Sequence, residues 1–212
     1  MYLSKLTLNP RHPQARRDLA NPYDMHATLS WAVADREGER LLWRLEGGPR
    51  EAVMLVQSRT SPDWQALFER HPGYAQLDER SPKLFEPALK PGQLLRFRLR
   101  ANPTVTKFDP DPEKGKRKRL GLVKLEDQLA WLHRQGERCG FAVPGAMVSS
   151  SERVRARKPQ KDGEEGRVIT LQSVTYDGHL RVNEPDAFLA ALQSGLGHAK
   201  ALGFGLLSIA KG

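Results

Sequence analysis

The sequence predicts an α+β fold in two halves, each mixing short strands with helices. Three observations point there. Short apolar or alternating runs end in turn residues, as strands do. Helical stretches open on proline, which suits the first turn of a helix. A stretch rich in Pro, Gly and charge covers 102–119 and sets a boundary between 1–101 and 102–212.

In the first half the opening residues read as a strand centred on 5–8, with further strands at 40–46, 52–58 and 94–100. A helix is expected at 22–34 and a shorter one at 63–68, after Pro62. That order is β-α-β-β-α-β, the ferredoxin-like or RNA-recognition plan. The second half repeats it less clearly. A helix at 124–134 places Leu125, Leu129 and Leu132 on one face. Strand-like runs follow at 141–148, 152–158 and 168–176. A helix then opens at Pro185 and carries Phe188, Leu189 and Leu192.

The chain closes on a glycine-spaced segment, 195–208, with Gly195, Gly197, Gly203 and Gly205 around His198 and Lys200. Too few residues follow for a dinucleotide-binding unit, and no Gly-Lys-Ser/Thr supplies a P-loop. Two readings stay open: a phosphate-contacting loop, or a tight turn before a last strand at 204–209.

Charge narrows the partner. A net charge of +9 and a pI near 9.9 favour a polyanion. No apolar run is long enough to cross a bilayer, and no long basic amphipathic helix suits a membrane surface. The single cysteine, Cys139, fits a reducing cytoplasm. The six histidines are scattered without metal-ligand spacing, so neither a metal nor a small-molecule cofactor is expected.

Arg153, Arg155 and Arg157 alternate with Val154 and Ala156, which puts all three on one face of a strand. Lys158 follows, then a turn signal at Lys161-Asp162-Gly163. The result is a hairpin with a cationic face, able to straddle phosphates. A second alternation sets Arg96, Arg98 and Arg100 against Leu95, Phe97 and Leu99. A third cluster, 114–119, has no apolar partners and reads as a mobile loop. Few aromatics interleave with these cations, so shape and phosphate recognition of a folded RNA fits better than base stacking on a sheet.

Asn21-Pro22-Tyr23-Asp24-Met25-His26 holds the strongest chemical candidates. Asn21 caps a helix, Pro22 fits its first turn and Asp24 complements its dipole. Tyr23 and His26 are three apart and share a face. RNA chain cleavage needs a proton taken from a 2′-hydroxyl and one given to the 5′-oxygen. A neutral imidazole beside a phenol can supply both without metal.

The opening MYLSKLTL, the Tyr23-x-x-His26 helix, FRLRANP at 97–103 and GLGHAKALGFGLLS at 195–208 together resemble CasE, the CRISPR repeat-processing endoribonuclease of the type I-E Cascade complex. The resemblance runs through nearly the whole chain. It implies two tandem ferredoxin-like domains and metal-independent cleavage at the 3′ base of the repeat hairpin. It also implies retention of the product alongside other Cascade subunits. His26 matches the catalytic histidine, Tyr23 a tyrosine of some members, and the basic hairpin the element that grips the stem. Some relatives carry cations where this chain has Ala27 and Trp31. Arg16, Arg17, His198 and Lys200 are then the candidates to stabilise the phosphorane. A rival reading is a non-catalytic RNA-hairpin-binding subunit of a ribonucleoprotein.

Overall fold

The computed structural model describes residues 1–35, 38–47, 52–107, 118–158 and 166–212. Two α+β units lie in tandem. The first runs β1 (Tyr2–Leu8), α1 (Pro13–Ala20), α2 (Pro22–Leu29), a 3₁₀ turn (Ser30–Ala32), β2 (Leu42–Glu46), β3 (Ala52–Ser58), α3 (Trp64–Arg70), β4 (Ala75–Leu77) and β5 (Lys83–Leu84). The sheet order is β2-β3-β1-β4, with antiparallel pairs throughout and β5 beside β1. Leu6, Leu8, Met54 and Val56 on the sheet pack with Met25 and Leu29 of α2. Met25 and Leu29 are four apart, so they form the inner stripe of the helix. Burying each contributes roughly 1.5–3 kcal/mol.

The helix expected at 22–34 is α2 followed by the 3₁₀ turn, and α1 precedes it unannounced. His12 caps α1 by accepting from the Gln14 N–H at 3.1 Å. The inner residues of α1 are Ala15 and the carboxylate Asp18. Asp18 accepts from the Tyr74 hydroxyl at 2.7 Å, Gln14 Nε2 at 2.9 Å and the Thr28 hydroxyl at 3.1 Å. These bonds satisfy a buried carboxyl whose pKa burial nonetheless holds above the ordinary aspartate value.

The second unit comprises β6 (Leu94–Ala101), α4 (Leu125–Arg138), β9 (Phe141–Arg157), β10 (Val168–Val182), α5 (Pro185–Ser194) and β11 (Leu207–Lys211), with a β7 (Thr104–Lys107)–β8 (Lys118–Gly121) ribbon inserted. Its sheet order, β11-β6-β10-β9, repeats the plan of the first sheet. The strand at 94–100 therefore opens the second unit instead of closing the first, where short β4 takes that place. Leu95, Phe97 and Leu99 are buried with Val174, Tyr176 and Phe188 of the second core. The boundary expected after residue 101 consequently moves upstream of Leu94.

Other expectations shift for local reasons. The runs at 141–148 and 152–158 are one strand, β9, which pairs with β10 through two register irregularities. In α4 the inner face holds Gln128, Trp131 and Leu132, whereas Leu125 is exposed. Gln128 is buried because its amide donates to Leu122 O, Val123 O and Ser151 Oγ at 2.9–3.2 Å. Arg119, expected in a mobile loop, sits in β8, as does the backbone of Lys118; 114–117 lie outside the described residues.

A buried guanidinium and the glycine segment join the units. Arg44 of β2 donates to Arg98 O at 3.1 Å, Leu206 O at 3.0 Å and Ser208 Oγ at 2.9 Å. The indole of Trp43 donates to Ala201 O at 3.1 Å. The glycine segment curls over that indole, with all four glycines at positive φ. Its amides bond within the fold, Gly195 N–H to Ala191 O, Leu196 N–H to Gly205 O, Leu202 N–H to Ala199 O and Gly205 N–H to Arg100 O. A Cβ at Gly203 would stand 2.6 Å from Trp43 Cζ3, at φ +82°. Gly203→Ala is therefore expected to cost about 2–3 kcal/mol in a denaturant titration. Gly145→Ala, with nothing within 4 Å of its Cβ, should cost far less. Equal losses would mean that the indole does not constrain the loop.

Candidate active site and nucleic-acid interface

Asn21 organises the site. Its backbone N–H ends α1 on Arg17 O and Asp18 O, and its carbonyl accepts from the Asp24 and Met25 N–H groups of α2. Its side-chain oxygen caps α2, accepting from Tyr23 N–H at 3.4 Å. The same carboxamide meets the free edge of β9. Oδ1 accepts from Arg157 N–H at 3.1 Å, and Nδ2 donates to Arg157 O at 3.0 Å. The helix carrying Tyr23 and His26 is thus tied to the end of the basic hairpin.

Tyr23 packs against Ala156 of β9 and against Leu202 and Phe204 of the glycine segment. Among the described residues its hydroxyl makes no hydrogen bond. His26 is half-buried, and its Nδ1 is buried without a hydrogen-bond partner among the described residues. Burial holds the imidazole pKa below its ordinary value, so the neutral form dominates at pH 7. Ser30, which shares much of that face, donates its hydroxyl to His26 O at 2.7 Å and closes the helix.

The hairpin stripe has the expected geometry. Arg153, Arg155 and Arg157 are exposed on one face of β9, around half-buried Val154 and buried Ala156. Among the described residues none of the three has an acidic partner. Exposed Lys158 donates its N–H to Arg167 O at 2.9 Å. Arg155 and Arg157 line a cleft of about 490 Å³ with Arg17, Asn21 and Asp24. Arg16 is exposed on α1 and does not line this cleft, and Lys161 lies outside the described residues.

This cleft is not the flank of α2 that bears the imidazole. Asp24 faces the arginines, and His26, two residues on, is about 160° away around the helix. The face shared by Tyr23 and His26 turns instead toward the glycine segment, whose 3₁₀ turn (Lys200–Leu202) packs on α2. Gly197 lies against the Trp131 ring. His198 is exposed, and its pKa is lowered by partial desolvation, then by Arg119 and Lys200. Lys200 is half-buried and lowered by desolvation, then by Arg40. The expected site residues therefore divide between the two flanks of one helix.

The second basic stripe is largely consumed within the fold. Arg98 pairs with Asp177 at 2.6 Å and Glu46 at 3.1 Å. Arg100 donates to Ser173 Oγ at 2.9 Å and lies over the Phe204 ring. Sequence reasoning missed Arg40 and the backbone pairing of Asn21. It also missed Arg70, whose guanidinium stacks 3.6 Å from the Trp31 ring centroid and puts a cation beside a position that holds none itself. Among the described residues, no group of three or more His, Cys, Asp or Glu could hold a metal ion, and no helix is long and apolar enough to cross a membrane.

Comparison with known proteins agrees along the whole chain. The family model described as CRISPR associated protein matches residues 1–211. The CRISPR-associated endoribonuclease Cse3 of Thermus thermophilus is 48% identical, covering 99% of this chain and all of the relative. The CRISPR system Cascade subunit CasE of Escherichia coli K12 is 38% identical, covering 99% of each. The structure of Thermus thermophilus Cse3 bound to an RNA representing a pre-cleavage complex superposes with a TM-score of 0.84 at 45% identity, over 99% of this chain and 98% of that one. The two sheets of like order are the tandem ferredoxin-like arrangement of those relatives, and the chain belongs to the CRISPR associated protein family.

Proposed function

We propose that this protein is the endoribonuclease that cuts CRISPR precursor RNA at the 3′ base of each repeat hairpin and stays on the product as a Cascade subunit. One observation carries the reading: a helix with a neutral, half-buried imidazole is bonded through its cap to the end of a hairpin bearing an exposed arginine stripe. The RNA-bound and Cascade relatives support the substrate and the assembly. Such a protein works in the cytoplasm, where the transcript is made.

The hairpin arginines hold the stem by its phosphates, near its base, where an A-form major groove opens. His26 takes the proton from the 2′-hydroxyl upstream of the scissile phosphate, and Tyr23 orients that hydroxyl. The 2′-oxygen bonds to phosphorus as the bond to the 5′-oxygen breaks, and the imidazolium returns its proton to the leaving oxygen. The products are a 2′,3′-cyclic phosphate and a 5′-hydroxyl. Lys200, on the turn packed against α2, supplies positive charge to the phosphorane, with His198 beside it.

His26→Ala should slow single-turnover cleavage by about 10²–10⁴ while hairpin affinity stays within a few-fold. In the wild type the rate should climb with pH as the imidazole loses its proton. The midpoint should lie below the ordinary histidine value of 6.5, because burial depresses this group. A midpoint above that value would assign the titration elsewhere.

A 2′-deoxy nucleotide before the scissile phosphate should abolish cleavage and spare binding, and excess EDTA should leave the wild-type rate unchanged. Loss of rate on chelation would replace this mechanism with a metal-assisted one. Retardation of labelled repeat RNA without shortening would favour the binding-only subunit.

Replacing Arg155 and Arg157 together by Ala should flatten the dependence of log K on log salt by roughly 0.7–0.9 for each phosphate no longer neutralised. An unchanged slope would place the RNA away from the hairpin.

A further inference from the structure

We infer that Asn21 is a positioning residue that passes engagement of RNA on the basic hairpin to His26; this rests on the nuclease reading above. The geometry is particular. β9 is an edge strand, last in the order β11-β6-β10-β9. At Arg157 the Asn21 carboxamide meets both the N–H and the C=O of the backbone, as a neighbouring strand would. An exposed strand edge is an unsatisfied template, and at Arg157 a single side chain satisfies it. Oδ1 is shared, since it also accepts the N–H of Tyr23. The bonds that seat the end of the hairpin therefore also seat the first turn of α2.

The same residue ends α1, whose Arg17 reaches the cationic cleft. Three segments that meet one polyanion, α1, α2 and β9, thus share one hydrogen-bonding residue. His26 lies five residues beyond Asn21, about 7.5 Å along the axis of a short helix. A helix of this length moves as a rod, so a shift of β9 on binding a stem displaces the imidazole with it. The arginines and the imidazole occupy opposite flanks of α2, so the stem grip cannot set the imidazole by direct contact. The cap is the short route between them, and Tyr23 against Ala156 is its apolar companion.

The test separates this role from capping alone. Serine and aspartate both cap helices well. Asn21→Ser loses both bonds to Arg157. Asn21→Asp keeps an acceptor for the Arg157 N–H and loses the donor to its C=O. Both should stay folded by circular dichroism and thermal unfolding; if the serine variant does not fold, the aspartate variant carries the test. For Asn21→Ser we expect the single-turnover rate at saturating protein to fall about tenfold, with hairpin Kd within about threefold of wild type, a split that a factor of ten in the chemical step alone produces. Asn21→Asp should fall between the two in rate. Adding an uncleavable 2′-deoxy hairpin should shift the His26 ring proton resonances in the wild type and leave them nearly unmoved in Asn21→Ser. A wild-type rate at saturation, or an RNA-induced His26 shift as large as in the wild type, would overturn the inference. If wild-type protein does not cut the repeat while binding it, the nuclease reading falls instead, and the resonance shift still reports whether Asn21 couples hairpin to helix.

Discussion

The burial of one guanidinium fixes where everything functional lies. Arg44 is 3% exposed, in the outer strand of the first sheet, and its donors end on the backbone and a hydroxyl of the second. Glu46 lies 2.6 Å away and offsets the charge. Desolvation lowers the Arg44 pKa from its ordinary value while Glu46 pulls it back up. A buried charge in such a place costs several kcal/mol unless every donor is met. Meeting them requires the two sheets to hold one relative position. The glycine segment does the same from the other side, laid over Trp43 where no side chain would fit. Since α2 belongs to the first unit and the hairpin to the second, this junction is what lets Asn21 reach Arg157 at all.

The positive charge of the chain resolves into two populations once partners are considered. Arg44, Arg98 and Arg100 face carboxylates, hydroxyls and carbonyls, and they hold the molecule together. Arg153, Arg155 and Arg157 face solvent and form no ion pair among the described residues, although Asp24 shares the cleft that Arg155 and Arg157 line. Alternating like charges on one strand face repel, and a fold tolerates that repulsion most readily where a polyanion relieves it. In the sequence both stripes read alike, as arginine every second residue. Only the cross-strand neighbours distinguish them: Asp177 stands opposite Arg98, whereas Gln172 and Thr170 stand opposite Arg153 and Arg155.

That contrast marks how far the sequence can be read. Local patterning located β3, β6, α5 and the arginine face of β9, because each is a short apolar run, obeys a simple alternation or opens on proline. It could not say which sheet β6 joins, since alternation reports a buried face and not a neighbour. It missed α1, whose inner residue Asp18 is a carboxylate held by Tyr74, far along the chain. It put Leu125 inside α4, where Gln128 is buried on the strength of three hydrogen bonds. Tyr23 and His26 were legible as a pair on one helical face. Their turn away from the arginine cleft was not, because it depends on Leu202 and Phe204 arriving from the far end of the chain. Polar groups satisfied at long range are where local patterning fails.

The separation of arginines and imidazole onto opposite flanks of α2 has a consequence for how RNA must lie. On the proposed reading, a strand leaving a stem held at Arg155 and Arg157 reaches His26 only by crossing the N-terminal turn of α2. Helix N-termini favour anions, yet this one carries Asp24 in its first turn and commits the Asn21 oxygen to the cap. A carboxylate there repels a phosphate that settles on the turn, so the crossing strand gains nothing by stopping short. Favourable charge resumes on the far side, at Lys200, with Arg40 and Arg119 nearby; desolvation first, and then these neighbouring cations, hold the pKa values of Lys200 and His198 below their ordinary positions, so His198 stands there as a neutral donor. On this reading a polyanion that engages both cationic flanks turns around the N-terminal end of α2 that lies between them. A bent ribose-phosphate link is what brings a 2′-oxygen into line with the 5′-leaving group. On the proposed reading, the division of charge across one short helix favours the bent backbone that an imidazole-driven cleavage needs, independently of base identity.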